Sequence, residues 1–269
     1  MSKLFALLKS VFVCGLAVLA LGASAYAQQG DSILRQISDR GTLRVGWTVN
    51  YPASYRDPAS GKVAGYAIDV FNDLGAQLGV KVEYVEDSVA TMAAGLQSKK
   101  FDVTIPLAIT LPRLQALSFS KPFIKSPAAL VVRAEDAKKY AGWQDLDKPE
   151  LTISTTLGSN IDMFVTAVFK NAKIIRVKNQ TDSVAQVIAG KADAWANSTS
   201  ALTDVVGKRP ELVLLPNSEY GASPLALPIV QGDFIWAAYL DEFLRVEKEN
   251  GKLAAAIKKY GYAEDVLYD

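Results

Sequence analysis

The stretch "LTISTTLGSNIDMFVTAVFKNAKIIRVK", Leu151 to Lys178, decides how this chain folds. It opens on Leu151–Thr156, a short β-branched and apolar run bounded by a Gly-Ser-Asn turn, as a buried strand does. Ile161 to Phe169 then reads as a helix, and "KIIRVK" from Lys173 is a second strand. Strand, helix and strand in such close succession form a βαβ unit, which implies parallel pairing and helices packed on the faces of a sheet.

The same alternation extends both ways. Downstream lie a helix over Ser183–Ala189 and a strand "ADAWAN", Ala192 to Asn197. Upstream there is an earlier round. "TLRVGW", Thr42 to Trp47, is a strand, followed by a polar loop rich in Tyr and Pro that runs to Gly65. Ala67–Leu78 places Ile68, Phe71, Leu74 and Leu78 at helical spacing. "VKVEYV" (Val80–Val85) and "FDVTIP" (Phe101–Pro106) read as strands around a short helix, Thr91–Ser98. Two longer passages, Ala129–Glu150 and Glu219–Val230, join the rounds, and a helix over Phe234–Lys248 nears the end. The expected fold class is α/β: two lobes built mostly on parallel sheets, joined by two extended crossovers. The first lobe takes residues 28–127 and 225–269 and the second 128–224. The crossovers are expected near Ser126–Val131 and Ala222–Ala226.

Residues 1–27 are set apart from that fold. Lys3 and Lys9, the apolar run Val11–Leu21 and the closing Ala25-Tyr26-Ala27 make a charged, apolar, small-x-small pattern of a cleavable signal peptide. A membrane anchor is the alternative, but the apolar run falls short of the roughly 20 residues that span a bilayer. The single cysteine, Cys14, lies inside this segment, so the mature chain depends on core burial rather than disulfides. The formal net charge is +1, and no basic run offers itself to nucleic acid. With no histidine in the chain, Ser-His and Cys-His catalytic pairs are excluded and a zinc or copper site is not expected. No cofactor is expected either.

One residue asks for a partner. In "IPLAITLPRLQALSFSKPF", Ile105 to Phe123, Arg113 is alone among apolar residues, with Asp102 the nearest acid upstream and Glu135 downstream. A guanidinium does not lose its charge in a protein. Either Arg113 snorkels to water, or its anion comes from outside the chain.

Several strings together resemble the family 3 periplasmic solute-binding proteins, the receptors that capture polar amino acids for ATP-driven importers. They are GK-x-x-GY-x-ID (Gly61–Asp69), FD-x-x-I (Phe101–Ile105), IT-x-x-R (Ile109–Arg113), "TTLGSN" and "IAGKADAWANS". The likeness runs through nearly all of the mature chain. It implies a two-lobed periplasmic-binding-protein fold of type II that closes on its ligand about two hinge strands. It also implies a periplasmic location, an inner-membrane ABC permease as partner and a monomeric receptor. Arg113 falls where the family holds the ligand carboxylate, and a guanidinium fork suits that task. Thr110 is the motif's threonine and could also cap the helix that follows. Ala108 replaces a family Ser or Thr and keeps only a backbone contact. Ser159 and Asn160 match a loop whose N–H groups open a helix, an arrangement suited to anions; Ser159 as an ordinary N-cap is the compatible alternative.

Departures from the family are as informative. The aspartate that receives an α-ammonium is replaced by Ser198, after Asn197. The aromatic platform of the first loop reads Ala53-Ser54. Tyr51, Trp47 and Val89 are expected to face the ligand, though each aromatic could instead be lobe core; Trp195 carries the same two readings, with core the usual place of a strand tryptophan. Asp69 or Asp87 could enter the cleft in place of the missing aspartate. Hence the expected ligand is a small carboxylate or amino-acid-like molecule, bound without catalysis. Two alternatives share the scaffold: an extracytoplasmic sensor module, and a cyclohexadienyl or arogenate dehydratase. The dehydratases resemble these receptors but use a glutamate where this chain has Ile161, with Asp162 one residue beyond.

Overall fold

The computed structural model describes residues 32–261. The signal peptide expected over residues 1–27 lies outside the described residues, as do the last eight.

The first lobe is built on a parallel sheet with Thr42–Trp47 at its centre, Lys81–Glu86 on one side and Val103–Thr104 on the other. The strand expected over Phe101–Pro106 is therefore much shorter. The buried Asp102 explains where it begins: its carboxylate receives the Arg40 and Arg44 guanidinium groups at 2.5 and 2.8 Å and the Arg44 backbone N–H at 2.8 Å. Around the sheet stand the helices Ile33–Arg40, Tyr66–Leu78 and Met92–Gln97. From the far end of the chain, Phe234–Glu249 and Lys252–Lys259 join them. Their apolar faces meet in one cluster in which Trp236, Leu240 and Ile257 share a core with Leu43, Phe71 and Leu74. These last two described helices thus pack on the first-lobe sheet.

Gly65 opens Tyr66–Leu78 at φ 135°, where a side chain is strained, and an added Cβ would sit 2.2 Å from the Ala53 carbonyl oxygen. Only glycine lets the loop from Tyr51 press against the start of that helix.

In the second lobe, Thr152–Thr156 pairs in parallel with Lys173–Val177 and Ala194–Ser198, as the βαβ reading requires. The rest of this sheet is antiparallel, which corrects the expectation of mostly parallel pairing. Ile124–Arg133 pairs antiparallel with Ala194–Ser198, Leu212–Leu214 and Tyr220–Ala226. The cause is directional. Core strands of this lobe run toward the cleft and end there at Thr156 and Ser198. Ile124–Arg133 enters from the first lobe and runs away from the cleft, so beside them it can only be antiparallel. Helix Asn160–Val168 covers one face over Ile153, Leu130 and Ala194. Gln180–Ile188 and Thr199–Lys208 cover the other around Trp195, which is core.

Two strands cross between the lobes side by side. Ile124 is buried in the first core and Leu130 in the second, on one continuous strand. Its partner, Tyr220–Ala226, pairs Leu225 with Ile124 and Ser223 with Ser126, and carries a register irregularity between Tyr220 and Ala222. Leu107–Ala108 completes the junction by pairing with Leu225–Ala226.

Candidate functional site

A cavity lies between the lobes, walled by loops that follow the carboxyl ends of both sets of strands. It is small, about 60 Å³ open to the centres of water molecules. Strand ends are where α/β sheets leave such crevices, because the helices that follow them turn away to either side.

Arg113 reaches into this space from a short helix, Leu111–Leu114, whose first turn accepts Pro112 and whose N-cap is Thr110. The Thr110 Oγ1 accepts the Arg113 backbone N–H at 3.4 Å. The guanidinium donates from Nη1 to the Ala108 carbonyl at 2.8 Å and from Nη2 to the Gly158 carbonyl at 2.9 Å. Ala108 belongs to the first lobe and Gly158 to the second, so one side chain ties both. Among the described residues no carboxylate pairs with it. Burial pushes its pKa down to about 10, which still leaves it charged at neutral pH. The cavity therefore holds a positive charge that the described residues do not neutralise.

Opposite stands the loop that opens helix Asn160–Val168. Ser159 caps it, its Oγ accepting the Asp162 N–H at 3.0 Å, and lines the cavity as well. That serine is an N-cap and a wall residue at once. Asn160 lines the cavity and donates to the Ser223 hydroxyl on a crossing strand at 3.0 Å. Ile161 faces the cavity, whereas Asp162 does not. The Asp162 carboxylate accepts the Gly158 N–H at 2.9 Å and forms an ion pair with Arg176 at 2.7 Å. Asn197 and Ser198 close the far wall, with the Ser198 N–H donating to the Asn197 side-chain oxygen at 2.8 Å.

Of the first-lobe candidates, Ala108, Tyr51 and Val89 border the cavity. Tyr51 also meets the second lobe: the Lys208 ammonium lies 5.0 Å from its ring centre. Burial first, then the Asp204 carboxylate, raise its hydroxyl to about 12. Gly158 approaches Ala90 so closely that a Cβ would lie 3.0 Å from the Ala90 Cα. These contacts cross the cleft, so the lobes are closed.

Two expectations are corrected. Trp47 does not face the cleft. It is 1% exposed within the first-lobe core, beneath the Arg56 guanidinium at 5.3 Å. Strand alternation explains this, since Trp47 shares the inward face with Leu43 and Val45. Thr110 caps its helix and is not part of the wall. The suggested substitutes for a missing aspartate are also engaged elsewhere. Asp69 is paired with Lys259 at 2.7 Å, and Asp87 with Lys100 at 2.9 Å. Neither borders the cavity.

The sequence reading missed Val49, Asn50, Tyr66, Thr156, Ser126 and Leu225, all of which line the wall. A usable signal existed for most. Val49 and Asn50 follow the end of the central first-lobe strand, Thr156 ends a second-lobe strand, and Ser126 and Leu225 lie on the crossovers. Tyr66 lies in the Gly61–Asp69 motif, but nothing in that string says that it faces the cleft rather than the core.

The model of the bacterial extracellular solute-binding proteins, family 3, matches residues 43–263. The chain belongs to this family. Among its relatives, a cyclohexadienyl dehydratase of Pseudomonas aeruginosa is 28% identical over 90% of this chain and 90% of its own. A probable amino-acid ABC transporter-binding protein of Haemophilus influenzae is also 28% identical, over 94% of this chain and 98% of its own. In three dimensions the chain is similar to an ancestral amino acid-binding protein described as a precursor of cyclohexadienyl dehydratase. That likeness has TM-score 0.79 and 28% identity, covering 85% of this chain and 99% of the other. The two-lobed solute-binding fold follows from family and likeness together. Among the described residues no helix is long and apolar enough to cross a membrane.

Proposed function

We propose that this family 3 solute-binding protein is a periplasmic receptor that captures a small carboxylate between its lobes and presents it to an inner-membrane ABC permease. The observation that carries this reading is Arg113, charged, largely buried and bonded to a backbone carbonyl of each lobe, with no acid beside it. Its remaining N–H groups and the Ser159 hydroxyl are the donors a carboxylate would accept, in a setting where charge-assisted bonds are strong. Closing the lobes then completes the ligand's shell and supplies the permease with a distinct loaded shape. The mature protein starts after Ala27 and acts as a monomer.

The test begins with a thermal-shift screen of small organic acids and amino acids, because a ligand at 100 times its dissociation constant stabilises by about 2.7 kcal/mol. Calorimetry on any acid that protects the protein should show Arg113→Ala losing at least about 2 kcal/mol of binding. Arg113→Lys should recover only part, because an ammonium lacks the planar fork. Unchanged affinity in Arg113→Ala would overturn the assignment.

A second reading is favoured by the identity with the Pseudomonas aeruginosa dehydratase. It asks for a general acid in the cleft. Ile161 stands at the position where the dehydratases use glutamate, Asp162 is spent on Arg176, and among the described residues no Asp or Glu borders the cavity. The expected result is no turnover of prephenate or arogenate by the purified protein. Turnover that vanishes in Asp162→Ala would reverse the preference.

A further inference from the structure

We infer that the ligand is a small acid carrying no ammonium, with a neutral oxo, hydroxyl or amide group beside its carboxylate. This deepens the carboxylate reading and rests on it. The inference comes from the charges that line the closed cavity. Among the described residues Arg113 is the one charged residue on the wall; the other polar side chains there, among them Asn50, Thr156, Ser159 and Asn197, are neutral. An ammonium taken from water into such a space would meet a cation of its own sign and no anion to offset its desolvation.

Three of the wall's polar groups point the same way, although the Asn160 side chain, which donates to Ser223, keeps its neutral oxygen as an acceptor. The Asn197 side-chain oxygen already accepts the Ser198 N–H, which fixes the amide's orientation and leaves its NH₂ as the group without a partner among the described residues. Ser159 has its oxygen engaged as an acceptor, leaving its O–H to donate. Arg113 only donates. These groups seek acceptors. An ammonium brings three donors, whereas an oxo or hydroxyl oxygen accepts.

The acids that could have reversed this conclusion face away. Asp162 is paired with Arg176, Asp87 with Lys100 and Asp69 with Lys259. Asp204 approaches from beyond the Tyr51 hydroxyl and is paired with Lys208 at 2.7 Å.

Matched molecules of one carbon skeleton test the inference. Pyruvate, L-lactate and L-alanine form one set; phenylpyruvate, L-phenyllactate and L-phenylalanine another; 2-oxoglutarate, L-2-hydroxyglutarate and L-glutamate a third. Within the set that binds, calorimetry should give the oxo or hydroxy acid at least tenfold higher affinity than the amino acid. Asn197→Asp changes charge at nearly constant volume and keeps an acceptor for the Ser198 N–H. It should narrow or invert the preference by raising affinity for the amino acid and lowering it for the plain acid. An amino acid that binds the unaltered protein as tightly as its oxo partner, and loses that binding in Arg113→Ala, overturns this inference and leaves the carboxylate reading standing. Binding that survives in Arg113→Ala overturns both.

Discussion

Trp47→Ala should lower the stability of the folded chain by about 3–5 kcal/mol, the cost of truncating a large aromatic in a packed core. Ligand affinity, measured where the variant is still folded, should stay within about twofold of the parent. The side chain is 1% exposed on the central strand of the first-lobe sheet, surrounded by that lobe's apolar residues and capped by Arg56. Its removal leaves a cavity that neighbouring strands cannot collapse into, because both sides of Thr42–Trp47 are already paired. Denaturant titration measures the first quantity, and calorimetry with an acid that protects the parent measures the second. The opposite pattern, little lost stability and much lost affinity, would put the indole at the ligand and contradict the packing.

That tryptophan marks where sequence reading stops. Strand periodicity locates Thr42–Trp47 to the residue, yet it gives two faces without saying which one meets the ligand. The motif around Arg113 was a different kind of signal. An arginine without acids is a chemical question that the sequence alone poses, and the structure adds the two carbonyls, one from each lobe, that aim it. The βαβ units were legible because each is local: Thr152–Thr156, Asn160–Val168 and Lys173–Val177 lie within two residues of where patterning put them. The direction of Ile124–Arg133 was not, because pairing direction depends on which lobe a strand enters from. Helix Thr199–Lys208 went unread although Ala201, Leu202, Val205 and Val206 stand at helical spacing and pack on the second-lobe core; nothing in that stripe tells that the helix also places Asp204 and Lys208 against Tyr51 across the cleft. Contacts between lobes leave no periodicity in either.

Gly158→Val should damage the protein twice, in ways that separate experimentally. The glycine has φ +74°, a left-handed conformation in which a β-branched residue costs about 1–3 kcal/mol. That strain lies within the second lobe and reduces stability whether the lobes are open or closed. The added Cβ would also stand 3.0 Å from the Ala90 Cα, and a valine's methyl groups need more room still. Ala90 belongs to the first lobe, so this clash arises only when the lobes meet. Overpacking of that order costs about 1–3 kcal/mol, and all of it falls on the closed state, which lowers affinity roughly fivefold to 150-fold. The Arg113 bond to the Gly158 carbonyl would stretch with it, since backbone that retreats from Ala90 carries that oxygen along. Small-angle scattering with saturating ligand should show the variant more extended than the parent, and calorimetry should show the weaker binding. Gly158→Ala should fall between. An affinity unchanged in Gly158→Val, with the closed dimensions retained, would mean that Ala90 and Gly158 do not set the limit of closure and that the lobes meet through the Tyr51 and Lys208 contact instead.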